Sequence, residues 1–328
     1  MKAALERYLD ATLPDARGEI GIESIPGGQS NPTFFLTQGA RRMVLRKQPP
    51  NALPSAHAVD REYRIMAALA DSGVPVPEVL AYCGDASVIG TPFYLMKRIE
   101  GRVFNDPSLP DVRPADRRAM YLAMADTLAA LHGIDWAARG LADYGRTGNF
   151  FERQVGRWTR QWAAAGGAAS ADIDFLIDWL PRHIPASDVT TIAHGDFRIG
   201  NLMFHPTEPK VVGVLDWELS TLGHPAADVA YSALGWHLGA ADYMGIADLD
   251  LAALGIPSEH DYLARYHAGA GRVFTVEPFH FAFSLFRLAV IFEGIAARAR
   301  AGTASADNAS DVGRLAGRFA RLAVEHVS

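Results

Sequence analysis

Apolar and polar positions along the chain change their period near residue 100. Before that point, short runs rich in β-branched and aromatic residues alternate with Gly-containing turns. Three of them, residues 19–25, 32–37 and 42–46, predict successive strands. A helix follows over 58–69, where Val59, Tyr63, Met66 and Leu69 form an apolar stripe that stops before Gly73, Pro75 and Pro77. Residues 91–101 predict another apolar strand, running into a Gly-terminated linker. Past residue 100 the period is helical: 114–132, a segment with Trp158 and Trp162 four apart, another from Phe175, one opened by His224-Pro225, and then 258–268, 279–299 and 310–324. One β feature interrupts the helices. Leu202-Met203-Phe204 and residues 210–215 flank a turn with Pro206 and Pro209, the pattern of a short hairpin.

Composition narrows the class. With 328 residues, 49% hydrophobic and 21% charged, the chain can build a sizeable core. A net charge of -6 leaves no footprint for nucleic acid. The single Cys83 excludes an internal disulfide. Residues 1–7 predict a surface helix without an apolar signal core. The most apolar stretch, 279–291, is too short for a bilayer and contains Arg287. No membrane partner and a cytoplasmic location are therefore expected.

The candidate chemistry lies in His194-Gly195-Asp196-Phe197-Arg198-Ile199-Gly200-Asn201 and, past the hairpin, Asp216-Trp217-Glu218. Phosphoryl transfer from a nucleotide needs a carboxylate to receive a hydroxyl proton. It also needs hard oxygen ligands to hold Mg²⁺ against the phosphates. Asp196 suits the first role and Asn201 with Asp216 the second, because the hairpin brings the latter two side by side. Singly, each could be a turn former or cap. A metal-dependent hydrolase using His194, Asp196 and Asp216 would need more ligands, for which His205 and His224 are the candidates.

These motifs resemble the aminoglycoside phosphotransferase (APH) family of the protein-kinase-like superfamily. His194-Gly195-Asp196 stands where protein kinases carry His-Arg-Asp, and Asp216-Trp217-Glu218 where they carry Asp-Phe-Gly. The likeness runs from about Ile20 to the C-terminal helices. Within the family the chain resembles the kinase-like domain that precedes acyl-CoA dehydrogenase domains in longer proteins. The resemblance implies an α+β, protein-kinase-like two-lobed fold, with a small β-rich nucleotide-binding lobe over 1–98 and a mainly helical catalytic and substrate lobe over 99–328. It implies ATP and Mg²⁺ as cofactors and a small hydroxyl-bearing molecule as acceptor. It also assigns roles: Asp196 as base, Asn201 and Asp216 on the metal, His194 and Asp228 in support of the catalytic loop. Arg46, braced by Glu62, would grip the phosphates, with Lys47 the alternative, since strand alternation points only one of the two inward. Gly28, Ser30 and Asn31 fall in the nucleotide-covering loop, and Met96, Lys97, Arg98 and Ile99 in the hinge that meets the adenine.

The acceptor is less defined. Tyr231, Trp217, Glu218, Trp236 and His237 are candidates to line its site. No dense acidic cluster is present to meet an aminoglycoside, and the acyl-CoA dehydrogenase association suggests a hydroxyacyl thioester or another metabolite. Arg46 in place of lysine keeps a second reading open, a nucleotide-binding pseudokinase with a regulatory role.

Overall fold

The computed structural model describes the chain except residues 1, 14–17, 26–30, 51–57, 167–169, 272–273 and 301–308. In chain order its elements are α1 (Lys2–Thr12), β1 (Ile20–Ser24), β2 (Thr33–Gln38), β3 (Arg41–Lys47), α2 (Val59–Leu69), β4 (Val79–Cys83) and β5 (Phe93–Lys97). Then come α3 (Pro114–His132), α4 (Phe150–Ala164), α5 (Ala171–Arg182), β6 (Thr191–Ala193), β7 (Leu202–Phe204), β8 (Val211–Val214) and β9 (Thr221–Gly223). The remainder is helical: α6 (Pro225–Ala233), α7 (Leu251–Leu254), α8 (Glu259–Ala270), α9 (Pro278–Arg300) and α10 (Ala309–Glu325). This is the α+β class expected, β-rich first and helical later.

The chain forms two compact units. The first takes residues 1–104, 134–144 and 200–220; the second takes 105–133, 145–199 and 221–328. The helical-region hairpin β7–β8 therefore belongs with the N-terminal sheet.

In the first unit an antiparallel sheet has the order β1-β2-β3-β5-β4. Strand alternation sorts β3 into two faces. Met43 and Leu45 join Leu36, Phe93 and Leu95 in a core capped by Leu5 and Leu9 of α1. Val44 and Arg46 take the opposite face. Helix α2 buries Val59, Ile65, Met66 and Leu69, and with them Glu62. Burial of a glutamate on an amphipathic helix requires partners, and the sheet supplies them.

In the second unit α9 is the central helix, packed by α4, α5, α6 and α10, while α3 packs on α8. The apolar stretch over 279–291 lies within α9, close to the helix over 279–299 that the sequence pattern predicts. At 23 residues α9 meets the length and hydropathy of a membrane span. Yet 83% of its most apolar window is buried inside the protein, so its apolarity is that of a core helix.

Candidate active site

In the first unit, the face of β3 that carries Arg46 lines a cavity of about 410 Å³. Its walls include Val44, Glu62, Tyr94, Met96, Val214 and Asp216, and the linker Arg98-Ile99-Glu100-Gly101 closes one side. Alternation has settled the choice between neighbours: Arg46 lines the cavity and Lys47 does not.

Arg46 is held from two directions. Its Nε lies 3.0 Å from Glu62 Oε2, and its Nη2 donates to Asp216 Oδ1 at 2.9 Å. Burial pulls the guanidinium pKa down, but the surrounding carboxylates, Glu62 foremost, outweigh it and hold the pKa above its ordinary value. Burial, the largest influence on Glu62, pushes that carboxyl up to about 7, against the pull of Arg46 and of two donated hydrogen bonds. Those donors are Tyr94 Oη at 2.9 Å and Asn31 Nδ2 at 2.7 Å. Sequence reading missed Tyr94, which pairs with Arg46 across the β3–β5 register and so delivers its hydroxyl to the same glutamate. Asn31, expected in the nucleotide-covering loop, is buried and donates its amide to Glu62, so it positions the ion pair; it is not among the residues lining the cavity. Gly28 and Ser30 lie outside the described residues.

All four hinge residues, Met96, Lys97, Arg98 and Ile99, line the cavity. The backbone N–H groups of Lys97 and Arg98 already bond the carbonyls of Glu78 and Arg42, which fixes the linker to the sheet. At Gly101 a Cβ would sit 2.6 Å from the Phe204 carbonyl oxygen and 2.4 Å from Met203 Cγ, so only glycine permits this approach to β7.

The β7–β8 register pairs Leu202 with Val214, and Leu215 N–H donates to the Asn201 carbonyl at 2.8 Å. Asn201 and Asp216 therefore share one end of the hairpin, as its pattern requires. Asp216 has φ 62°, a left-handed conformation that aspartate tolerates better than most residues. Trp217, fully buried, anchors it by donating Nε1–H to the Val214 carbonyl at 3.0 Å. An amide oxygen and a carboxylate are hard donors, a set that fits Mg²⁺.

In the second unit, the loop after β6 is tied to α6 through Asp228. The backbone N–H groups of His194 and Gly195 donate to its two oxygens at 2.6 and 2.9 Å. His132 Nε2 lies 3.4 Å from the same carboxylate, with its Nδ1 2.7 Å from Tyr266 Oη. Burial works to raise the Asp228 carboxyl, but His132 and the backbone donors prevail and hold it below the usual carboxylate range. The cap of α6 is not Asp228 but His224, whose Nδ1 accepts the Ala226 N–H. His194 Nδ1 accepts the backbone N–H of Asp196 at 3.2 Å, turning the loop so that the carboxylate meets Tyr231 Oη at 2.5 Å. His132 had no signal in motif spacing, and Tyr231, an acceptor-side candidate, meets Asp196 through tertiary contact.

Two acceptor-side candidates make packing contacts. Trp236 meets Tyr121 edge-on and Tyr262 at a tilt and donates to the Pro257 carbonyl, and His237 pairs with Glu259 at 2.8 Å. The hydrolase reading loses its ligands too. His205 Nδ1 accepts the Glu208 N–H, His224 is the cap, and no group of three or more His, Cys, Asp or Glu gathers among the described residues. A larger cavity, about 830 Å³, lies in the second unit and includes His224 and Ser187. With Nδ1 accepting, His224 donates from Nε2 to Ser187 Oγ at 3.2 Å, so the pair cannot activate a nucleophile.

The phosphotransferase enzyme family matches residues 21–253. Acyl-CoA dehydrogenase family member 10 of Mus musculus is 45% identical over 98% of the chain, and family member 11 of Gallus gallus is 41% identical over 99%. The chain spans only 30% and 43% of those two proteins. Among solved structures, a protein of Ralstonia eutropha JMP134, provisionally described as an aminoglycoside phosphotransferase, is 46% identical. It has a TM-score of 0.92, with 99% of this chain and 98% of that one covered. Aminoglycoside phosphotransferase APH(4)-Ia, solved with AMP-PNP and hygromycin B, is 17% identical, with 99% of each chain covered, and shares the fold at a TM-score of 0.65. With the family matched over most of its length and relatives alike over nearly all of it, the chain belongs to the APH phosphotransferase enzyme family.

Proposed function

We propose that the chain is an ATP- and Mg²⁺-dependent kinase that transfers the γ-phosphate to a hydroxyl of a small molecule. The observation that carries this reading is Arg46, held between buried Glu62 and Asp216 on the wall of a cavity closed by the hinge. Arg46 binds the nucleotide phosphates, Glu62 fixes its orientation, and the 96–101 strand and linker receive the base. Held by Asn201 and Asp216, Mg²⁺ would neutralise phosphate charge when bound. The Asp196 carboxylate takes the acceptor's hydroxyl proton as the new O–P bond forms and the bond from γ-phosphorus to the ADP oxygen breaks. The names of the curated relatives support a hydroxyacyl thioester or related metabolite as acceptor.

The regulatory reading also has an observation in its favour. Arg46 already bonds Asp216, the carboxylate a metal needs. A thermal shift series separates the two. A kinase is stabilised by ATP only with Mg²⁺ present, by roughly 2.7 kcal/mol at a hundredfold excess over Kd. Stabilisation by ATP with no metal requirement favours the pseudokinase. No stabilisation by ATP or GTP at millimolar concentration rejects both. Mass spectrometry of hydroxylated candidates incubated with MgATP then detects the phosphoryl adduct, and Asp196→Ala must lower its rate of formation by orders of magnitude.

A further inference from the structure

The surroundings of Asp196 in the second unit are cationic, and they are not used up by the fold. Arg198 Nε lies 3.5 Å from Asp196 Oδ2, and Arg198 packs over the Tyr243 ring at 5.6 Å. Arg287 donates to the Gly195 carbonyl, in the loop that carries Asp196. It also stands over the rings of Tyr231, at 5.1 Å, and Trp158, at 5.7 Å. Arg157, exposed one residue before Trp158, completes the group. It lies over the same Trp158 ring as Arg287, at 5.1 Å.

Among the described residues the only ion pair of these three arginines is Arg198 with Asp196. The buried Nε of Arg287 finds no hydrogen-bond acceptor, and that of Arg198 has only the long 3.5 Å approach to Asp196. A buried guanidinium N–H without an acceptor costs about 1–3 kcal/mol, and like charges held together add to that. A packing role for Arg287 explains its contact with Gly195, but not Arg198 beside Asp196 and Arg157 over the same Trp158 ring. A polycationic acceptor would be repelled here.

We infer that the acceptor carries an oxyanion, a carboxylate or a phosphate ester, bound by Arg287 and Arg198 with Arg157 at the rim, so that its hydroxyl meets Asp196. Planar guanidinium groups match either oxyanion bidentately, and the flanking Tyr231, Tyr243 and Trp158 rings hold them in place. The inference rests on the phosphotransfer reading for its hydroxyl, but the anion site can be tested without turnover.

The experiment is calorimetric titration of the whole chain, without nucleotide, with two charged probes and their uncharged counterparts: hydroxypropionate against propanediol, and glycerol phosphate against glycerol. Expected is binding of at least one anion roughly tenfold tighter than its counterpart, weakening with salt and falling about tenfold in Arg198→Gln and in Arg157→Gln. Arg157 is exposed, so its variant folds even if Arg287 variants do not. A response to hydroxypropionate alone identifies a carboxylate acceptor, and to glycerol phosphate alone a phosphorylated one. Equal binding of charged and uncharged probes, tighter binding of hygromycin B than of either anion, or no binding at millimolar concentration overturns the inference. The nucleotide shift is read separately: intact with no anion preference, it leaves the kinase reading standing and sinks this one.

Discussion

Arg46 and Asp216, 170 residues apart in sequence, meet at 2.9 Å, and the bond is unequal to the one Arg46 makes with Glu62. Glu62 has a side chain 2% exposed, whereas that of Asp216 is 35% exposed. Stability therefore depends on the first pair, and the phosphotransfer proposed above on the second. Arg46→Met strands a buried carboxylate and is expected to cost about 3–5 kcal/mol. Asp216→Asn, at a partly solvated site, is expected to cost less than about 1 kcal/mol yet to remove the Mg²⁺ requirement of nucleotide stabilisation. Urea unfolding with and without MgATP measures both. Equal losses of stability in the two variants would show that the distinction is wrong.

Asp228 holds the loop that carries Asp196 by its charge as well as its shape, since two backbone donors and His132 converge on it. Asp228→Asn replaces one acceptor oxygen with an N–H₂ that faces another donor. Turnover should fall roughly ten- to hundredfold, as small displacements of a base do, while nucleotide KM holds. Loss of folding stability of about 1–3 kcal/mol accompanies it. A variant that keeps full turnover would reduce Asp228 to a packing role.

Acid lability should come from His224 and His280, each depressed by burial from 6.5 to about 4. Between those values the unfolded chain binds the proton and the folded chain does not. Stability is thus complete above 6.5 and is lost as pH falls toward 4, by on the order of 2 kcal/mol for each imidazole. Glu62 acts in the opposite sense. Raised to about 7, it is protonated in the folded state first, so its contribution declines as pH rises from 4.5 to 7. Unfolding at pH 7 and pH 5 of the wild type and of His280→Gln, whose amide oxygen can still accept the Glu277 N–H, isolates the histidine part. An unchanged slope would assign the lability elsewhere.

Much of this was legible in sequence because it was local. The hairpin turn set Asn201 beside Asp216, strand alternation separated Arg46 from Lys47, and an amphipathic stripe with a glutamate in it marked α2. What stayed hidden depends on side chains that meet across the fold. Asn31 sits in a segment whose spacing suggests a phosphate loop, but the proximity of Glu62 claims its amide. Tyr94 and His132 belong to apolar runs in which a hydroxyl or imidazole is indistinguishable from core. β6 and β9 have three residues each, and their pairing with each other makes them strands.

Tyr231 donates its hydroxyl to Asp196 Oδ1 at 2.5 Å, and burial, then the neighbouring carboxylate, holds that hydroxyl well above its usual range, so it stays a donor. It is a positioning residue for the carboxylate, fixing which oxygen faces the acceptor. Tyr231→Phe keeps the ring and should lower acceptor kcat/KM by roughly tenfold, the worth of one hydrogen bond to a charged group. MgATP stabilisation should be unchanged. Because the hydroxyl acts only through Asp196, adding Tyr231→Phe to Asp196→Ala should cause no further loss. Additive losses in the double variant would mean that Tyr231 acts on the substrate directly.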